Sequence, residues 1–248
     1  MPEGDTIHRT ANRLRAALLD KSLVRLDAPR TTGKRPQPGA VIEAVDAVGK
    51  HLLIRFSGGV TLRTHMRMTG SWHLYRTGER WKQPAHLARA VVEVEGWTAV
   101  CFAAPVVELE TTARAAANVA HLGPDLTSDA ITDAEIDRAV DRMTDDEIGV
   151  VLLDQRVASG IGNIWKNETL FACGVDPFRS ADDVSRETKR ALLATASRFL
   201  RASVGGGPRP NNVYRRARQP CRRCGTPIRS QSQGEQARTA YWCPTCQT

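Results

Sequence analysis

The sequence predicts an α+β protein: an N-terminal helix and antiparallel β-sandwich, then a helical segment, then a short cysteine-bearing β-hairpin. Three observations carry this expectation. Apolar residues recur at helical steps at the start of the chain and again beyond residue 130, whereas short β-branched and aromatic segments broken by turn signals occupy residues 22–102. Four of the six cysteines lie beyond residue 220.

The first helix follows "MPEGD". Ile7, Ala11, Leu14 and Leu18 fall at steps of four, three and four, which lays one apolar stripe along it, and Asp5 is placed to cap its free N–H groups. The segments "VIEAVDAV", "HLLIRF", "SWHLY", "RAVVEV" and "WTAVCF", separated by turns such as Gly58-Gly59 and Gly78, read as antiparallel strands of a sandwich. "HLGPDL" marks a boundary, giving expected domains at 1–122, 123–206 and 207–248. Beyond it come "TDAEIDRAVDRM" and "TDDEIGVVLLDQRVAS", the latter with capping-box spacing at Thr144 and Glu147. After "GIGN" follow a helix "IWKNETLFACGV", stopped by Gly174 and Pro177, and a longer one over about 182–203. "GGGPRPNN" reads as a flexible linker into the tail.

A chain of 248 residues buries a core without disulfides. Its 35 Lys and Arg against 27 Asp and Glu leave a formal charge of +8, which favours a polyanionic partner. No apolar run approaches the roughly 18 residues of a membrane span, and no basic, apolar and cleavable leader opens the chain. A soluble, cytoplasmic protein is expected. In a reducing compartment, "CRRC" and "CPTC" favour a metal over disulfides. Cys221, Cys224, Cys243 and Cys246 suit one tetrahedral Zn2+, and a site closed by four thiolates is structural and not catalytic; the alternative is four ordinary buried cysteines. Arg222, Arg223, Arg229 and Arg238 make this module basic, as a phosphate-contacting surface or simply as a solvated one. "ASGIGNIW" offers glycines, Asn163 and a helix start, which suits either phosphate binding or a tight turn between helices.

Five stretches in order, "PEG" before a helix, "GKHLLIRF", "HMRMTGSW", "LLDQRVASGIGNIWKNETLF" and "CRRCG" through "RTAYWCPTCQ", span nearly the whole chain. Together they make it resemble the formamidopyrimidine-DNA glycosylase and endonuclease VIII family of base-excision-repair enzymes. The resemblance implies that the middle segment is a helix-two-turn-helix DNA-binding domain and the tail a zinc finger. It implies that Pro2, exposed as the N-terminus once Met1 is removed, attacks C1′ of the damaged nucleotide, and that Glu3 is the general acid. Lys50 matches the family lysine that assists β-elimination and contacts phosphate. Arg238 matches the zinc-finger arginine credited with phosphate binding and δ-elimination, and Asn163 the asparagine that grips the backbone around the lesion. Met68 sits where relatives carry the wedge that fills the gap left by an extruded base, with Arg67 and His65 beside it. His121 occupies a position where relatives carry a DNA-contacting arginine.

The sequence also departs from the family pattern. "PEGDTIH" replaces the further proline and glutamate of many relatives, and the hairpin between the cysteine pairs is slightly longer than usual. "VVELETTARAAANV" stands where the 8-oxoguanine branch has an Arg-Phe wedge loop, which moves the expectation toward endonuclease VIII and oxidised pyrimidines. The expected function is therefore a monomeric, cytoplasmic or nucleoid-associated DNA glycosylase and AP lyase acting on damaged DNA through β- or β,δ-elimination. The alternatives are a non-catalytic zinc-finger protein that binds damaged DNA and a zinc ribbon that contacts other proteins.

Overall fold

The computed structural model describes residues 2–248; Met1, whose removal the proposed nucleophile requires, lies outside them. The chain forms two compact units, the first ending at His121 and the second running Leu122–Thr248.

In the first unit, helix α1 (Gly4–Leu18) precedes β1 (Leu23–Asp27), β2 (Ile42–Val48), β3 (His51–Phe56), β4 (Val60–His65), β5 (Ser71–Arg76), β6 (Ala88–Val94), β7 (Trp97–Phe102), β8 (Val106–Thr111) and helix α2 (Thr112–Val119). The strands make two antiparallel four-stranded sheets, ordered β1-β6-β7-β5 and β2-β3-β4-β8. Their inner faces share one core with the predicted stripe of α1, in which Ile7, Ala11, Leu14 and Leu18 are all buried. Asp5 is not the cap. Glu3 is the N-cap residue, in extended backbone at φ −119°, and its carbonyl accepts the N–H groups of Thr6 and Ile7 at 2.9 and 3.1 Å. Asp5 sits inside the first turn, where its buried carboxylate meets Arg9 at 3.4 Å and the positive end of the helix.

The sandwich extends past the predicted strand region. In β8 only Leu109 is buried, so the segment has too few inward apolar residues to read clearly as a strand. Yet it pairs with β4 along its whole length, from Val60↔Thr111 to His65↔Val106.

In the second unit, α3 (Asp133–Asp141), α4 (Ile148–Val151), α5 (Asn163–Cys173) and α6 (Arg186–Val204) pack around Trp165, Leu170, Leu192, Leu193 and Leu200. Strands β9 (Arg229–Gln233) and β10 (Arg238–Trp242) form the C-terminal hairpin. The capping box forms at Thr132 and Glu135 on α3, not at Thr144 and Glu147. Thr144 instead donates to Asp145, and Glu147 accepts from Gln233. The expected long helix after Thr144 shortens to one turn because the Asp154 carboxylate captures the Arg156 N–H at 2.9 Å, an alternative to helical bonding that short acidic side chains offer.

The predicted linker is pinned at its far end. The N–H groups of Asn212, Val213 and Tyr214 all donate to Glu168 on α5, at 2.9–3.0 Å.

Candidate active site and metal centre

In the first unit Pro2 is half-buried and Glu3, immediately before α1, has no exposed surface. Lys50 is half-buried at the turn joining β2 to β3, directly after Gly49, whose φ of 56° closes the turn. The β3–β4 register sets His51 opposite His65, with ring centroids 4.7 Å apart. His65 Nδ1 accepts the backbone N–H of Arg67 at 3.1 Å, which holds the β4–β5 turn with Arg67 at φ 44°. Met68, next in that turn, is 61% exposed, an unusual position for a large apolar side chain.

Burial lowers His51 to about 3, helped by the charges of His65, Arg63 and His121. Burial likewise lowers His65 to about 4, helped by Lys50, Arg67 and Arg63. Both rings are therefore neutral at physiological pH, consistent with the acceptor role of His65 Nδ1. Lys50, His65 and Arg67 thus interact at one end of the second sheet, and the exposed His121 acts on the neighbouring His51.

Sequence reasoning missed the polar layer beside them. Arg63 on β4 lies close to His51 Nδ1, at 3.3 Å, and pairs with Glu108 and, at 3.3 Å, Glu110 on β8. Asn118 of α2 donates to both oxygens of Glu110 at 2.9 Å. The readable signal was the alternation of Glu108 and Glu110 around Leu109.

In the second unit Asn163 opens α5 and its amide donates to the Thr239 carbonyl at 2.9 Å, one residue beyond Arg238. Asn167, one turn on, donates to the Asn163 carbonyl and accepts the Tyr241 N–H, each at 2.6 Å. These bonds stitch α5 to β10. Arg238 begins β10 and is half-buried. The same helix supports the cysteine module through Phe171, which packs with Val213, Cys221, Ile228 and Cys243 beneath the Arg223 guanidinium, 4.5 Å from its ring centre. Gln247 ties the second cysteine pair back to the helices, accepting the Cys243 N–H at 2.9 Å and donating to the Val175 carbonyl at 2.8 Å.

The sulfur atoms of Cys221, Cys224, Cys243 and Cys246 all lie within 4.8 Å of one another, with Cys224–Cys243 at 3.4 Å and Cys221–Cys246 at 4.0 Å. A disulfide would need about 2.05 Å. Four sulfurs at Zn–S distances of about 2.3 Å in a tetrahedron would stand about 3.8 Å apart, which these separations bracket. The Arg223 N–H also points at Cys221 Sγ, at 3.4 Å, a donor suited to a thiolate. The donor set therefore fits Zn2+ with no position left open.

Three family models match consecutive parts of the chain: the formamidopyrimidine-DNA glycosylase N-terminal domain at residues 1–105, the formamidopyrimidine-DNA glycosylase H2TH domain at 122–210, and the zinc finger found in FPG and IleRS at 218–248. The chain is 39% identical to a probable endonuclease 8 2 of Streptomyces coelicolor, covering 100% of this chain and 94% of that protein. It is 38% identical to the DNA-(apurinic or apyrimidinic site) lyase Nei2 of Mycolicibacterium smegmatis, covering 100% and 99%. Among solved structures, MutM (Fpg) from Thermus thermophilus superposes with a TM-score of 0.81 at 29% identity over 99% of this chain and 98% of that one. A Lactococcus lactis Fpg bound to DNA containing N7-benzyl-Fapy-dG shares the fold, with a TM-score of 0.85 at 20% identity over the whole of both chains.

Proposed function

Because the chain belongs to the formamidopyrimidine-DNA glycosylase and endonuclease VIII family, we propose that it is a DNA glycosylase and AP lyase that uses Pro2 as its nucleophile, with oxidised pyrimidines as its substrates. The observation that carries this reading is the pairing of Pro2 with a fully buried Glu3 at the mouth of α1. A free α-amino group titrates near 8, far below a lysine, so part of it is nucleophilic at neutral pH.

The Pro2 nitrogen forms a bond to C1′ while the glycosidic bond breaks; the base leaves with that electron pair and takes up the proton that the nitrogen sheds. Glu3 supplies the proton that lets the sugar ring open, leaving an iminium between Pro2 and C1′. The iminium acidifies C2′; loss of its proton expels the 3′ phosphate, and a second elimination expels the 5′ phosphate. Lys50 assists the first elimination and Arg238 holds phosphate for the second. Asn163 grips the DNA backbone around the lesion, His65, Arg67 and His121 contact the DNA, and the exposed Met68 fills the space the extruded nucleotide leaves. The four cysteines would hold one Zn2+, which secures the fold of the hairpin and takes no part in bond breaking.

Borohydride reduction of the full chain with abasic-site DNA tests the mechanism. A covalent adduct is expected on the N-terminal peptide. A residue added ahead of Pro2 turns its nitrogen into an amide and abolishes the adduct. An adduct mapped to an internal lysine would refute Pro2 as nucleophile, and DNA binding without any adduct would identify a non-catalytic damaged-DNA binder.

A further inference from the structure

Lys166 lies near the start of α5 with no exposed surface, and its desolvation lowers its pKa to about 8. Its ammonium donates to Gln233 Oε1 at 3.0 Å. The Gln233 amide nitrogen in turn donates to the Glu147 carboxylate at 2.9 Å and to the Pro177 carbonyl at 2.7 Å. Gln233 is only 4% exposed. Its neighbours are shaped to admit it: a Cβ on Gly149 would stand 2.5 Å from Gln233 Oε1 and 2.8 Å from Nε2, so a residue larger than glycine there would displace the amide.

Gln233 ends β9 and is the cross-strand partner of Arg238, which begins β10. The four thiols sit at the opposite end of this hairpin, since Cys243 directly follows Trp242, the last residue of β10. A metal there secures the base of the hairpin and leaves its turn, residues 234–237, to be held otherwise. A two-stranded hairpin is marginal in water by itself. Burying an ammonium is costly unless it is well partnered, so Lys166 is a poor choice for mere packing.

From this geometry we infer that Lys166 and Gln233 form a clamp that positions Arg238, fixing the turn end of the hairpin so that the guanidinium meets the phosphate it handles during strand cleavage. Lys166 and Gln233 are positioning residues and touch no reacting atom. The inference rests on the reading that Arg238 contacts DNA phosphate, and its test separates the two.

The test uses the full-length, zinc-loaded protein and the variants Lys166→Met, Gln233→Ala, Arg238→Ala and the double variant Lys166→Met/Arg238→Ala. Zinc content and melting temperature are measured first; if Lys166→Met fails to fold, Gln233→Ala, which leaves every residue of α5 in place, decides. Hydrogen exchange of the peptide spanning the turn should quicken about tenfold at full zinc occupancy, as expected for local release of a turn. Single-turnover formation of the second-elimination product from an abasic-site duplex should slow by about tenfold with the Kd changing less than about threefold, and the double variant should be no slower than Arg238→Ala alone. Unchanged exchange in Gln233→Ala, or losses from Lys166→Met and Arg238→Ala that multiply, would overturn the clamp. An Arg238→Ala enzyme with a wild-type rate of second elimination would instead overturn the role given to Arg238, while the exchange measurement still decides whether Lys166 holds the turn.

Discussion

Replacing Glu168 with alanine should cost the second unit a large part of its stability, and the structure allows the magnitude to be worked out. The Glu168 carboxylate is fully buried and gathers four donors: the Asn212 N–H, shared between both oxygens at 3.0 and 2.9 Å, the Asn212 side-chain amide at 3.0 Å, the Val213 N–H at 3.0 Å and the Tyr214 N–H at 2.9 Å. Asn212 and Tyr214 are half-buried, so water replaces part of what they lose; Val213 is fully buried and its N–H stays dry. One dry donor costs about 1–3 kcal/mol, and losing the charge-assisted bonds adds about 1.5–3 kcal/mol, for a total of about 4 kcal/mol. At about 2–4 °C per kcal/mol, Glu168→Ala should lower the unfolding temperature by about 12 °C. Glu168→Gln keeps one oxygen but turns an NH2 toward N–H donors, and should cost about half as much. Urea and thermal unfolding followed by circular dichroism would measure both. A loss below about 1 kcal/mol for Glu168→Ala would refute the claim that this carboxylate pins the start of the cysteine module.

Three further outcomes are expected. The folded-state pKa values of His51 and His65, about 3 and 4, lie below the ordinary 6.5, so the unfolded chain takes up protons first; their stabilising contribution is complete above about pH 6.5 and is lost as pH falls toward 4. Discounted for screening at half-buried rings, each should cost about 1 kcal/mol at pH 5, and His51→Gln should flatten the pH dependence of urea midpoints. Met68→Ala should leave the melting temperature within about 1–2 °C, because the side chain is exposed, yet weaken binding to lesion-containing duplex more than to undamaged duplex, measured by fluorescence anisotropy. Stripping zinc with a chelator should release the hairpin and abolish DNA cleavage, since apparent zinc-binding energies of about 10–16 kcal/mol exceed what so small a module supplies itself; full cleavage by a metal-free chain would contradict the structural role of the ion.

Periodicity made most of the fold legible. The stripe Ile7, Ala11, Leu14, Leu18 needed only helical spacing, and β2, β3 and β5 to β7 carry enough inward apolar residues to be read as strands. β8 and α2 were not legible because they cover a charged layer: Glu108 and Glu110 face Arg63, and Asn118 follows them, so neither element shows the apolar face that pattern reading seeks. The helix after Thr144 was over-read for the opposite reason. Its apolar residues keep helical spacing, but Asp154 offers the backbone a competing partner that the apolar pattern does not show.

The site divides along the same line. Residues that would meet DNA lie in short motifs, and Pro2, Lys50, Asn163 and the cysteine pairs could all be named from a few neighbours each. The residues that hold them could not, because their partners are distant in sequence. On α5, Lys166, Asn167 and Glu168 are of residue types that ordinarily face solvent, yet they are buried together with Trp165, Leu170 and Phe171. Their partners are Gln233, Tyr241 and the 212–214 backbone, 44 to 74 residues away. Three adjacent polar side chains thus anchor the turn end, the second strand and the entry of the cysteine module from one helical stretch. If this is how the module is held, Asn167→Ala should loosen β10 as Glu168→Ala loosens the entry, and the two losses should fall short of adding, because residues serving one docked module are coupled. Fully additive losses in unfolding free energy would show instead that each side chain holds its own segment independently.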